Sequence, residues 1–365
     1  MMKSIRAVIL FIGVLGSSRI VGAGPYNEPG VSGYVGSDGK YASPGEPNAV
    51  INPIFRGWAT SVASYEPTPQ YMRPWWAYPT KALGPTMSDT DEVYTVSLGD
   101  LYQEDIDAGV PTGRITLSFS ETIQNQKGYD FVVFENGFRV SENECYGELG
   151  YVEVSTNDVD FARFPAVALM TPALDPNMQW YYFFSITDVY NLAGKHPNNG
   201  NEELIGEFTG TPFDLDDIKN DPNVLSGLVD INNITYVRII DIPGSGDFND
   251  EGQKHIDPCT WPDWDYYDAN HPIYDAWPTY ESGGLDLEAI GVLHPQQYRG
   301  DINLDGIVNY EDFVIFANAW RSQFGQAAWF SRCDINSPKD MVVDFLDFAV
   351  FAEEWLMIEQ WRINQ

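Results

Sequence analysis

The chain has 365 residues, of which 53 are Asp or Glu and 20 are Lys or Arg, giving a formal net charge of −33. That excess of acid excludes nucleic acid as a partner, because gripping a polyanion requires a basic surface that releases counterions. It favours divalent cations, which relieve the self-repulsion of an acidic fold and coordinate individual carboxylates.

Lys3 and Arg6 precede an apolar run from Ala7 to Leu15, and Val21, Gly22 and Ala23 supply the small residues of a cleavage site. Residues 1–23 therefore read as a secretory signal peptide, which makes the mature chain secreted, extracellular or bound at the cell surface. The run is too short to cross a bilayer and no longer one follows, so no transmembrane segment is expected. The next stretch, to about Ser61, is rich in Gly, Pro and Asn and reads as an irregular leading arm, with Trp58 and the Val62 region its first buried candidates.

Strand signals then come at short spacing: Val93 to Leu98, Arg114 to Ser120, Tyr129 to Phe134, Tyr151 to Ser155, Tyr236 to Ile242 and Leu285 to Leu293. Ile115, Leu117 and Phe119 alternate with Thr116, Ser118 and Ser120, as a half-buried strand does. The runs Phe131 to Phe134 and Val237 to Ile242 are nearly continuous and suit strands covered on both sides. Thr156, Asn157 and Asp158 favour a hairpin turn. Many strands and few helices predict a mainly β fold, a jelly-roll-like β-sandwich over residues 24–295.

Several carboxylates interrupt these apolar runs. Glu135 and Asn136 end one strand, Asp241 lies among Ile239, Ile240 and Ile242, and Asp286 and Glu288 share one face of the last. Buried carboxylates need partners. Two readings stay open: a calcium ion bridging strand ends, with Asp247, Asp250 and Asp275 as loop ligands, or hydrogen bonds from backbone N–H groups and from Arg238 and Arg163. Paired acids would also serve a glycoside hydrolase. The four histidines, His196, His255, His271 and His294, are scattered, and no HExxH, GxSxG or Cys/His zinc spacing occurs.

Trp75, Trp76 and Tyr78, then Trp261, Trp264, Tyr266 and Tyr267, fall in loop-like stretches where rings either stack on sugars or close the ends of a sandwich. Of these, Tyr266 and Tyr267 are the expected exposed pair. Cys145 and Cys259 lie in polar, loop-like stretches and could pair in an oxidising compartment, whereas Cys333 is expected to pack beneath a nearby loop.

The segments DFVVFENG (Asp130 to Gly137), YVEVSTNDVDFARF (Tyr151 to Phe164), NLAGKH (Asn191 to His196), GTPFDL (Gly210 to Leu215), YVRIIDIPG (Tyr236 to Gly244), PIYDAW (Pro272 to Trp277) and SGGLDLEAIGV (Ser282 to Val292) resemble a family of secreted bacterial cell-surface proteins. The resemblance covers most of Trp58 to Leu293. It implies a location and a β-rich domain, and no particular chemistry.

The C-terminal part carries the sharpest motif. Asp301, Asn303, Asp305, Asn309 and Asp312 fall at positions 1, 3, 5, 9 and 12 of an EF-hand-type calcium loop, with Gly306 at 6 and the carbonyl of Ile307 at 7. Ca²⁺ is a hard cation that takes six to eight oxygens, so a short loop must turn back and aim alternate residues inward. Phe313, Phe316, Ala317 and Trp320 follow at i, i+3, i+4 and i+7, predicting a buried helical stripe. The pattern recurs: Asn309, Asp312, Phe313, Phe316 and Trp320 correspond to Asp344, Asp347, Phe348, Phe351 and Trp355. In the second loop Asp334, Asn336, Asp340, Val342, Asp344 and Asp347 are the candidate ligands. Met341 takes the glycine position, and two extra residues around Ser337, Pro338 and Lys339 must be absorbed, which predicts a weaker site.

Two calcium loops, each followed by one amphipathic helix, resemble the dockerin module of secreted polysaccharide-degrading systems, here over residues 298–358. The resemblance implies Ca²⁺ as the bound ion and a cohesin-like protein as partner. Sequence therefore predicts a secreted, calcium-binding, non-catalytic protein associated with cell surface or polysaccharide. A dockerin-bearing glycoside hydrolase is the alternative.

Overall fold

The computed structural model describes residues 26–363, except 38, 69–73, 87–93, 199–208, 251–270, 281, 296–297, 325, 327 and 337–338. Residues 1–23, expected as a signal peptide, and Cys259, His255, Trp261, Trp264, Tyr266 and Tyr267 lie outside the described residues.

The fold is mainly β, with several antiparallel sheets and a C-terminal helical region. Asp286–Leu293 is central to the larger sheet, flanked by Phe131–Glu135 and Phe55–Trp58. Thr209–Phe213 and Val31–Ser32 continue it beyond Phe131–Glu135, and Val96–Ser97 pairs with the start of Asp286–Leu293. The second sheet runs Ala162–Arg163, Gly150–Ser155, Ile234–Asp241, Arg114–Ile123, Ser61–Glu66. One core joins the two: Phe131, Val133, Leu287, Ile290 and Val292 meet Ile115, Leu117, Val152, Val154, Val237 and Ile239. Fully burying each such side chain contributes about 2 kcal/mol.

The leading arm is more regular than its composition predicts, since it supplies the edge strands Val31–Ser32 and Phe55–Trp58. The expected hairpin forms at Asn157 and Asp158: Ser155 Oγ accepts both N–H groups, and Asp158 adopts a φ of 61°. Ile234–Asp241 differs from expectation, because Tyr236, Arg238 and Ile240 are only half-buried on its outer face. An ionic layer covers that face. Glu153 lies between Arg163 and Arg238 in the strand register and accepts from both, while Arg238 Nε donates to the buried Thr116 hydroxyl.

The continuous run Phe131 to Phe134 has a tertiary cause. Phe131 and Val133 face the inter-sheet core, whereas Val132 and Phe134 face outward into a second cluster with Val31, Ile54, Phe55, Ala289 and Leu293. That cluster is completed by the buried Leu304 and the half-buried Trp361, both from the C-terminal region. The large sheet therefore has protein on both faces.

The C-terminal region has its own core of Ile302, Val308, Phe316, Trp329, Phe330, Cys333, Ile335, Val343 and Phe351. Its helices are Tyr310–Asn318 and Phe345–Glu353, with Phe316 stacked on Phe351 at 5.4 Å. Cys333 packs in this core as expected. Cys145 is a fully buried thiol in the strand Glu144–Tyr146 rather than a loop residue. Among the described residues no helix is long and apolar enough to cross a membrane.

Candidate calcium loops and buried carboxylates

Both loops follow one hydrogen-bonding plan. In the first, Asp301 Oδ2 accepts from Gly306 N–H at 3.0 Å, and Asp312 Oδ1 accepts from Ile302 and Asn303 N–H at 2.7 and 3.0 Å. Asp312 Oδ2 takes Asn309 N–H at 2.8 Å while Asn309 Oδ1 takes Glu311 N–H, a reciprocal cap that starts the helix. Between the ends, Asn303 Oδ1 accepts from Asp305 N–H and Asp305 Oδ1 from Ile307 N–H, while Asn309 Nδ2 donates to the Ile307 carbonyl.

The second loop repeats these contacts. Asp334 Oδ2 accepts from Met341 N–H at 2.9 Å, Asp340 Oδ1 from Val342 N–H at 3.1 Å, and Asp347 Oδ1 from Ile335 and Asn336 N–H at 2.7 and 2.9 Å. Asp347 Oδ2 takes Asp344 N–H, and Asp344 Oδ1 takes Leu346 N–H. The ends of this loop stand in the same hydrogen-bonded arrangement as those of the first.

The last carboxylate of each loop also decides how its helix is turned. Asp312 and Asp347 are fully buried, so the inward line continues through Phe316 and Ala319 in one helix and Phe351 in the other. The predicted stripe is thus rotated: Phe313, Ala317, Phe348 and Trp355 are exposed rather than buried. With Tyr310, Val314, Phe345 and Leu346 they leave an outward apolar surface on the helix pair.

Burial holds the Asp301 carboxyl well above the usual carboxylate range, with the charges of Asp312 and Asp305 adding to it. Burial also raises Asp312 and Asp334 to about 6. Asp334 Oδ1 and Asn336 Oδ1 are buried and accept no hydrogen bond. Leaving a buried acceptor unsatisfied costs about 1–3 kcal/mol. A cation at the loop centre would satisfy both atoms together, and an all-oxygen donor set suits calcium. Among the described residues no three His, Cys, Asp or Glu side chains converge as a metal cage. The donors expected here are mixed, with Asn and backbone carbonyl oxygens beside the carboxylates.

The strand-end carboxylates of the sandwich are also buried. Glu135 Oε2 accepts from Gly137 N–H, Asp275 Oδ2 from Leu149 N–H and Asp241 Oδ1 from Leu285 N–H, at 2.7–2.8 Å. Glu288 accepts from Thr86 Oγ1 and Asn198 Nδ2, Asp286 from the Ser97 hydroxyl, and Asp250 from the backbone N–H of His271, whose ring Nδ1 lies 2.9 Å from the other Asp250 oxygen. Asp247 is exposed and bonded to Gln103 and Ser245. Backbone and neutral side-chain donors therefore hold most of this set. Arg163 and Arg238, expected as partners, serve Glu153 instead.

Asp100 and Glu148 join the buried acids and were not expected. Asp100 Oδ2 accepts from Thr279 N–H across a separation of 179 residues, which no local pattern announces. Of the predicted loop aromatics, Trp75 and Tyr78 are exposed and Trp76 is buried. Trp180 and Tyr181, next to Phe183 and Tyr146, form an exposed ring cluster that sequence reading missed.

No protein-family model matches the chain, and no curated protein is similar to it.

Proposed function

We propose that the chain is a secreted, calcium-binding, non-catalytic protein of the cell surface or of polysaccharide assemblies. In this reading a jelly-roll-like sandwich is the body, and the C-terminal dockerin-like module attaches it to a cohesin-like partner. The observation that carries the calcium reading is the pair of buried, unsatisfied oxygens, Asp334 Oδ1 and Asn336 Oδ1, on the inner side of a loop whose counterpart has EF-hand spacing. Asp301, Asn303, Asp305, Ile307, Asn309 and Asp312 would hold one ion, and Asp334, Asn336, Asp340, Val342, Asp344 and Asp347 the other. The exposed rings of the helix pair support attachment to a protein partner, since so many large apolar side chains on two neighbouring helices favour cover.

The non-catalytic reading is favoured over hydrolysis because Glu135, Asp241, Asp286 and Glu288 are at most 5% exposed and already bonded. A general acid must touch the glycosidic oxygen. Calorimetric titration of the full chain with CaCl₂, together with metal content by mass spectrometry, tests the central claim. Binding of two ions is expected, and no binding at millimolar calcium overturns it.

A further inference from the structure

The first loop does more than face solvent: it forms part of the surface that joins the C-terminal module to the sandwich. Leu304, at position 4, is 8% exposed and packs among Val31, Phe55, Phe134 and Leu293 of the large sheet. Its φ of 64° is the left-handed conformation, adopted by a leucine because the loop turns there. Arg332, from the segment before the second loop, donates from Nε to the Ile302 carbonyl and from Nη2 to the Asp301 carbonyl, both at 2.8 Å. Its guanidinium also lies 4.9 Å from the ring centre of Tyr129, next to the sandwich strand Phe131–Glu135. One side chain thus braces the backbone of the loop and rests on the other domain.

The C-terminal segment closes the same joint. Glu359 N–H donates to the Gly306 carbonyl, and Trp361 packs over Gly306 while stacking on His294 of the sandwich. Acid lies on both sides: Asp301, Asp305, Asp312 and the buried Glu359 in the module, and Glu28, Asp214 and Asp217 around Tyr129 in the sandwich. Arg332 between the two sets and Lys195, 2.8 Å from Glu28, offset part of this charge, and a divalent ion in the loop would remove much of the repulsion that remains.

We propose that the first loop is a calcium-operated latch: the ion that orders it also seats Leu304 and the Arg332 brace, so calcium fixes the C-terminal module against the sandwich. This rests on the calcium reading above. Linkage then requires the reverse coupling, in which docking tightens calcium binding at the first loop by the same factor that calcium tightens docking. The outward rings of the helix pair stay clear of the joint, so a docked module still presents them.

The test uses the full chain and its Leu304→Asn variant, because Asn tolerates the left-handed conformation while losing the apolar anchor. Leu304→Met, which restores bulk, is the rescue control. Calcium titration and small-angle scattering are measured on each, the latter in CaCl₂ and in EGTA. For the parent chain, EGTA should enlarge the particle and raise amide exchange in Leu304 and the outward-facing residues of Asp286–Leu293. Leu304→Asn should retain both ions, lose about tenfold in first-site affinity, and be expanded even in calcium, with Leu304→Met close to the parent. Two bound ions with identical scattering in calcium and EGTA, or unchanged affinity in Leu304→Asn, would overturn the latch alone. Absence of any calcium binding would overturn the calcium reading and the latch with it.

Discussion

Met341 stands in the second loop where Gly306 stands in the first: each N–H donates to the carboxylate that opens its loop, Asp334 Oδ2 at 2.9 Å and Asp301 Oδ2 at 3.0 Å. Both residues have positive φ, 63° and 85°. The left-handed conformation costs a side-chain-bearing residue about 1–2 kcal/mol, and glycine's unfolded-state entropy returns part of that difference. Met341→Gly should therefore stabilise the chain by about 0.5 kcal/mol. Gly306→Ala should cost about 2 kcal/mol or more, because its Cβ would also come within 2.8 Å of the Trp361 ring. Urea denaturation in saturating calcium measures both, and a stabilised Gly306→Ala would refute the account of the joint.

The carboxylates at position 12 have a structural task separate from any ion. Asp312 accepts three backbone N–H groups, from Ile302, Asn303 and Asn309, and Asp347 accepts three, from Ile335, Asn336 and Asp344. Alanine at either place leaves buried donors unsatisfied, at about 3 kcal/mol in total. Both variants should be destabilised in EGTA as well as in calcium. Asp301→Ala should lower calcium affinity at the first loop far more than Asp340→Ala lowers it at the second, since Asp340 is exposed and, among the described residues, accepts only from Val342 N–H. Equal losses in titration would contradict that ranking.

On the outer face of the second sheet, Glu153 lies 2.7 Å from Arg163 Nη2 and 3.5 Å from Arg238 Nη1, all three largely covered. Glu153→Gln removes the carboxylate shared by the two guanidinium groups and leaves Arg238 only the more distant Asp158, 3.9 Å from Nη2. The expected cost is about 1–2 kcal/mol, above that of an exposed pair. The Glu153→Gln, Arg163→Gln double variant should recover part of it, and strict additivity in a double-mutant cycle would show that the pair does not act as a unit.

What could be read from the sequence divides along physical lines. The shared hydrogen-bonding plan of the two loops was legible because each residue in it is local with a fixed offset, and the helix caps at Asn309 and Asp344 follow from the same residues. The strands Arg114–Ile123 and Phe131–Glu135 were legible from periodicity, and the double coverage of the latter from its unbroken apolar run. The rotation of the module helices was not, because a stripe of Phe and Trp outweighs one Asp by hydropathy, although burial of Asp312 sets the inward line. Thr209–Phe213 was missed since Gly210 and Pro212 argue against a strand, and it is held by pairing with Phe131–Glu135. The partners of the buried acids depend on contacts such as Asp100 with Thr279, which local pattern does not encode.

Those acids make stability depend on pH in a direction opposite to that of ordinary salt-bridged carboxylates. Burial is the largest influence on Asp100 and on Glu288, raising each to about 7 despite the hydrogen bonds from Thr279 and Leu101 to the one and from Thr86 and Asn198 to the other. Unfolded, the same groups titrate near 4. Between those values the native chain holds protons that the unfolded chain has released, so their contribution is fully present below about pH 4 and is lost as pH rises through about 7. In EGTA, the thermal midpoint should therefore be higher at about pH 5.5 than at about pH 8. Glu288→Gln should flatten that dependence, because a neutral amide keeps an acceptor for Thr86 and has no proton to lose. A midpoint that instead rises with pH under chelation would mean that the carboxylates are held ionised, and the burial argument for them would fail.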